Sequence, residues 1–343
     1  MRNMNDYSKI ENGLRNQTLV IVEGDLEKYV MFKTLLKCFP EIPIQMQNVH
    51  IYQNDIYDLY HAIEIEYGNM WYEEGLDINI PYLISAKFNI VPALEKKNFV
   101  NIIMIFDYEH HDNFYSDEKI LKMQKYFNRV EDQGFLYINY PMIESLYHYK
   151  SFPDEEYIHR SVPVTCNPGK KYKEMVKNES AIIDYISLYH RLIDIVKCKV
   201  ELPEEVIDNF VAEFLSFSDT DKINDEIEIF LNKTNLSPKE KNNFKFTISK
   251  LLTEQQYMKK KISYWEEMRI YFKTIFEDNV TKADYIQENG EDNAGTLKEK
   301  YLNINWENVL NRQNEMSRDC ENGIIMILCT CITFLGEYKF CWI

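Results

Sequence analysis

The stretch Leu19-Val20-Ile21-Val22-Glu23-Gly24-Asp25-Leu26-Glu27 decides how this chain is read. Four apolar residues, mostly β-branched, run into a carboxylate and a glycine. Apolar residues then recur at helical spacing (Tyr29, Phe32, Leu35, Leu36) until Pro40. This pattern predicts a buried strand turning tightly into a helix. In open parallel sheets, ligands gather beyond the carboxyl ends of the strands, which places Glu23 at a working edge. A carboxylate there is costly unless it is paired or holds a cation, so its companions are sought outward along the chain.

The strongest strand is Val100-Asn101-Ile102-Ile103-Met104-Ile105-Phe106, which ends in Asp107-Tyr108-Glu109-His110-His111-Asp112. Between the two strands lie a short β-like segment, Asn48 to Gln53, and a helical pattern over Ile56 to Tyr67 with Leu59, Ile63 and Ile65 on its apolar side. Residues 68–95 read as irregular and aromatic-rich. A helix carrying Ile120, Met123 and Phe127 follows. Then comes a strand, Phe135 to Tyr140, ending in Pro141-Met142-Ile143-Glu144-Ser145. Strands alternating with helices predict a parallel α/β sheet.

Beyond about residue 165 the strand signals stop. Ile182, Ile186, Tyr189, Ile193 and Val196 form one stripe, and Val206 to Leu215 another. Ser237-Pro238-Lys239-Glu240 reads as a capping box launching one long helix through Phe244, Ile248, Leu251, Met258, Ile262 and Trp265. The expected organisation is a polar arm (1–16), a catalytic α/β domain (17–160) and an all-helical domain (161–343).

Composition narrows the class. The 343 residues are 45% hydrophobic and 14% aromatic, enough for a large core, and Gly and Pro are scarce at 10 each. A formal charge of −16 removes general attraction to nucleic acid, so such a substrate must be held by local basic patches or bound metal. Seven scattered cysteines lack paired zinc spacing, and Met1-Arg2-Asn3 leads into no apolar signal segment, so a reduced, cytoplasmic protein is expected. The apolar run Ile324 to Leu335, broken by Thr330 and Thr333, falls short of the ~20 residues of a membrane span and reads as buried core.

Glu23, Asp107 with Glu109, and Glu144 all follow apolar strands. Parallel strands would bring them to one sheet edge, where converging carboxylates call for a hard divalent cation, Mg2+ or Mn2+. Such a site suits phosphoryl transfer. Glu-Gly after one apolar strand and Asp-x-acid after a second resemble the Toprim domain, shared by type IA and II topoisomerases, bacterial primases, OLD-family nucleases and small RNA-maturation nucleases. The resemblance covers roughly residues 17–150. It implies that Glu23 is a metal ligand or general acid/base, that Asp107 binds metal, and that Glu109, standing where the family usually has aspartate, does the same. It also implies that Glu27 serves a second metal. Tyr140-Pro141-x-x-Glu144-Ser145 and the helical second half are most similar to the OLD-like antiphage nucleases, including the stand-alone Toprim effectors of PARIS-type systems. The expectation is then a metal-dependent nuclease on RNA (tRNA among the candidates) or DNA. It would be the toxic effector of a defence system, restrained by an ABC-type ATPase partner and dimeric when active. The alternatives are an inert Toprim-fold sensor or scaffold and another Mg-dependent phosphotransferase. Against the latter, the chain has no Gly-rich P-loop.

Lys170, Lys171 and Lys173, and Lys259, Lys260 and Lys261, are the candidate nucleic-acid contacts, set against the ordinary reading of solvated helix faces. His110-His111 can place one ring at a metal. His159-Arg160, Lys87 and Lys150 read more simply as surface residues, and Cys329-x-Cys331 as packing.

Overall fold

Strand β1 (Gln17–Val22) is buried from Thr18 onward and pairs in parallel on both sides, with β2 (Val49–Ile51) and with β3 (Phe99–Asp107). β3 pairs in parallel with β5 (Gly134–Asn139), and the short β4 (Asn128–Arg129) closes that edge antiparallel, giving the order β2-β1-β3-β5-β4. Burial on both faces explains the unbroken apolar runs of β1 and β3. The computed structural model describes residues 17–129, 133–166, 169–255, 261–291 and 294–339. The polar arm, Met258, Lys259 and Lys260 lie outside them.

Strand order dictates where the helices go. The chain leaves β1 for β2 in one direction, then returns past β1 to β3 and continues to β5. With right-handed crossovers, the first connection lies on one face and the next two on the other. The first carries a π-helical turn, Leu26–Phe32, running into α1 (Lys33–Cys38). The other two carry α2 (Ile56–Tyr67), α3 (Ile80–Phe88) and α4 (Asp117–Tyr126), and α2 packs on α4 as required. The π turn changes the phase expected for a plain α-helix: Met31 and Phe32 are buried, while Tyr29 is exposed. In α2, Leu59 and Ile63 face the core but Ile65 is exposed, contrary to expectation. The stretch read as irregular contains α3, which begins at Asn79, whose side chain accepts from the Tyr82 N–H.

The second half comprises α5 (Lys170–Glu179), α6 (Ile183–Ile186), α7 (Leu188–Lys197), α8 (Glu204–Phe214), α9 (Thr220–Asn232), α10 (Pro238–Glu254), α11 (Tyr264–Gln287), α12 (Leu297–Asn303), α13 (Trp306–Ser317) and a final turn, Leu335–Lys339. Two expectations are corrected here. The single helix from Pro238 through Trp265 is two helices, because Ser263 forms its own capping box with Glu266 and starts α11 afresh. The region is also not wholly helical: β6 (Ser161–Pro163) pairs antiparallel with β7 (Ile324–Met326). A short strand at the head of a solid apolar run has no alternation to announce it.

That apolar run is buried from Ile325 to Leu335 and returns to the main sheet. Tyr140 and Leu328 exchange backbone hydrogen bonds, Thr330 donates to the Ile138 carbonyl at 2.9 Å, and the Cys331 N–H donates to Asn139 Oδ1 at 3.2 Å. α11 packs on α1, with Phe39 against Phe272, while α13 packs on α4 across the opposite face. Among the described residues no helix is long and apolar enough to cross a membrane. Asn279, fully buried on α11, joins these parts. Its Oδ1 accepts from Tyr157 Oη (2.8 Å) and the Cys329 N–H (2.7 Å), and its Nδ2 donates to the Ile275 carbonyl. Asn279→Ala leaves buried donors unpaired and is expected to cost about 2–3 kcal/mol, read as a lower urea midpoint.

Candidate metal centre

The strand order reverses between β1 and β3, and at such a switch point the strand ends and their following turns diverge, opening a crevice. Register places Val22 opposite Ile105, so β1 ends beside the last residues of β3. Glu23, Asp107 and Glu109 meet there, each offering an oxygen within 4.8 Å of the others. Backbone donors orient two of them. Glu23 Oε2 accepts the Asp107 N–H at 3.0 Å, and Asp107 Oδ1 accepts the Ile143 N–H at 2.8 Å. Glu109 Oε2 lies 3.3 Å from His111 Nε2. Behind the turn, the buried Tyr108 hydroxyl donates to Asn314 Oδ1 (2.7 Å) and contacts Tyr115 Oη and Ser317 Oγ, anchoring the Asp107–Glu109 segment to α13.

Glu27 is buried on the π turn, and Glu144 on the helical turn Ile143–Tyr147 after β5. Glu144 Oε1 lies 3.3 Å from Lys173 Nζ, while Oε2 is sealed from solvent without a hydrogen-bond partner. Five carboxylates thus share one small region. Burial first, and then the charges of Glu23, Glu27, Glu144 and Glu109, push the Asp107 carboxyl well above its usual range. Burial likewise raises Glu23 to about 8, partly opposed by the Asp107 N–H, with Glu109, Glu27 and Asp55 adding repulsion. Glu27 rises to about 7 through burial and Glu144. Glu109 is also raised by burial, against the pull of His111. Two ionised carboxylates this close repel by about 3 kcal/mol at an effective dielectric of ~20, so the ionised cluster needs a counter-ion. Its donors are hard oxygens with one imidazole nearby, a set that fits Mg2+ or Mn2+ better than a thiophilic metal. The triad Glu23, Asp107 and Glu109 can bind a metal ion.

Other expected site residues fall elsewhere. Of the run Lys170, Lys171 and Lys173, Lys173 reaches the carboxylates; Lys170 is exposed and Lys171 donates to the Thr165 carbonyl. Lys261 is exposed. Of the adjacent histidines, His111 meets Glu109 whereas the His110 ring packs on Tyr115 at 4.5 Å. His159 packs on Tyr285, and Arg160 grips Asp154 with both terminal nitrogens. Lys87 sits 3.4 Å from the Tyr52 ring centroid, and Lys150 pairs with Glu179. Cys329 and Cys331 are fully buried.

One participant was missed. Asp55 follows β2 and caps α2, and it joins Glu23, Asp25, Asn54 and Glu109 around an open pocket of about 460 Å³. The short β2 pattern carried the signal, since its carboxyl end lies on the same edge. A larger cleft of about 700 Å³, lined by Arg129, Tyr137, Tyr301 and Trp306, contains none of the five clustered carboxylates. No family model, no curated protein and no solved structure matches the chain, so its function is argued from its own geometry.

Proposed function

We propose that this protein is a divalent-metal-dependent nuclease whose Glu23, Asp107 and Glu109 hold Mg2+ or Mn2+ and which hydrolyses phosphodiester bonds of RNA or DNA. The supporting observation is the convergence of those three carboxylates at the sheet's switch point, two of them fixed by backbone N–H groups and all with raised pKa values. A bound cation supplies charge neutralisation at the phosphate and acidifies water. The chain's residues do the rest. Glu23 and Asp107 each commit one oxygen to a backbone donor, which leaves the other for the ion. Glu27, buried on the π turn and close enough for Asp107 to feel its charge, would serve a second ion. The open acidic pocket beside Asp55 would leave room for a nucleotide, with a bound cation lowering the local negative charge. Because the whole chain repels phosphate, Lys170, Lys171 and Lys261 are the remaining candidate backbone contacts.

The wider reading is a toxic effector of bacterial antiphage defence, restrained by an ABC-type ATPase and active as a homodimer. It rests on the likeness to Toprim-type OLD nucleases alone. The test incubates the purified chain with tRNA, plasmid DNA and mononucleotides, with Mg2+, with Mn2+ and with EDTA. Cleavage of a polynucleotide that EDTA abolishes is expected. Metal binding with no cleavage would favour an inert sensor or scaffold, and turnover of mononucleotides alone would favour a phosphotransferase.

A further inference from the structure

The five carboxylates divide into two sets. Glu23, Asp107 and Glu109 converge on one point, while Glu27 and Glu144 form an inner pair, Glu27 feeling the charge of Glu144 and Asp107 that of both. Both are buried as Asp107 is: Glu27 is 3% exposed and Glu144 8%, whereas Glu23 and Glu109 are half-buried. Glu144 Oε2 has no partner, and neither has the sealed Tyr147 hydroxyl, whose electrostatic surroundings include Glu144 and Glu27. A buried carboxylate with one bare oxygen is an unsatisfied acceptor that draws a cation.

The cation that the described residues bring to it is Lys173. Its ammonium sits 3.3 Å from Glu144 Oε1, and its charge also reaches Glu27, Asp107 and Glu109. Yet its side chain is 57% exposed on the outer face of α5. The Glu144 side chain is only 11% exposed, so the ammonium can leave only where another cation takes its place at the buried carboxylate.

We infer that Lys173 is a built-in counter-ion for the inner pair, so that the cluster takes one divalent cation at Glu23, Asp107 and Glu109, and Glu27 with Glu144 accept a second only after Lys173 has swung away. A phosphate diester brought to the cluster would compete with Glu144 for the ammonium, coupling full metal loading to the arrival of substrate. Lys173 is therefore a positioning residue. This inference deepens the metal-dependent reading above and rests on it.

The test counts Mn2+ ions bound to the full chain, by isothermal titration and by electron paramagnetic resonance of free Mn2+, without substrate. Wild type is expected to bind one ion. Lys173→Met is expected to bind two, or to bind the second at least tenfold more tightly. Lys173→Arg keeps one, and Lys173→Met with Glu144→Gln returns to one. Lys173→Gln repeats the first substitution with a polar side chain, and circular dichroism checks that each variant is folded. Equal stoichiometry and affinities in wild type and Lys173→Met overturn the inference while leaving the metal centre intact, as do two tight ions in wild type. No Mn2+ bound to wild type overturns the metal centre itself.

Discussion

Asp107→Asn lowers metal-dependent cleavage by about a hundred- to a thousandfold, and at the same time stabilises the metal-free protein at pH 8. Both effects come from the same position. Asp107 is 5% exposed at the end of β3 and is surrounded by four other carboxylates. The substitution keeps an oxygen to accept the Ile143 N–H but removes the charge through which a cation is held. Removing one preorganised electrostatic contact in a water-poor site commonly costs a factor of 10²–10³, roughly the scale expected here. Without metal, the burial of that carboxyl, with repulsion from Glu23 and Glu27 added, is only a burden, and the substitution removes it. Single-turnover cleavage rates and urea melts of the two proteins read both effects. A variant that cleaves at the wild-type rate, or that is less stable at pH 8 without metal, would show that Asp107 has been given the wrong role.

The second large effect is a reversal of pH dependence by metal. Glu23 titrates at about 8 and Glu27 at about 7 in the folded chain, against 4.5 for a free side chain. Between roughly pH 4.5 and 8 the folded state therefore holds protons that the unfolded state has released, and stability falls as pH rises. This contribution is fully present below ~4.5 and is lost through the folded pKa values. Mn2+ replaces those protons, so its stabilisation grows across the same window. At a hundredfold excess over its dissociation constant it amounts to about 2.7 kcal/mol, a Tm rise on the order of 4 °C for a chain of this size. At pH 5 the rise is small, because protons compete for the same oxygens. Glu23→Gln flattens the metal-free profile. Melts at pH 5, 7 and 8 with and without Mn2+ measure this directly, and a Tm indifferent to Mn2+ at pH 8 is the opposing result.

The parts of the fold legible in the sequence are those governed by continuous burial. β1 and β3 carry unbroken apolar runs, Leu19 to Val22 and Ile102 to Phe106, because both faces are covered there, and each run ends at a carboxylate, so Glu23 and Asp107 could be paired without knowing the strand order. The helical stripes of α7 and α8 were equally plain. What escaped was decided by tertiary context. The π turn at Leu26–Phe32 rotates Glu27 inward in a way that helical spacing alone does not foresee. α3 hides in an aromatic stretch, its start marked by Asn79 as cap and Pro81 in the first turn. β7 exists because β6 is there to pair with it. Lys173 belongs to a lysine run that reads as a solvated face, and its difference from Lys170 and Lys171 is a matter of which side of α5 meets Glu144.

The most direct measurement is a crystal of the full chain grown with Mn2+ and diffracted at the manganese absorption edge. The expected anomalous map has a peak bounded by carboxylate oxygens of Glu23, Asp107 and Glu109, at coordination distances of about 2.0–2.2 Å. An anomalous map with no peak among those oxygens, or with manganese bound only at surface carboxylates, contradicts the assignment of a metal centre to the β1–β3 switch point.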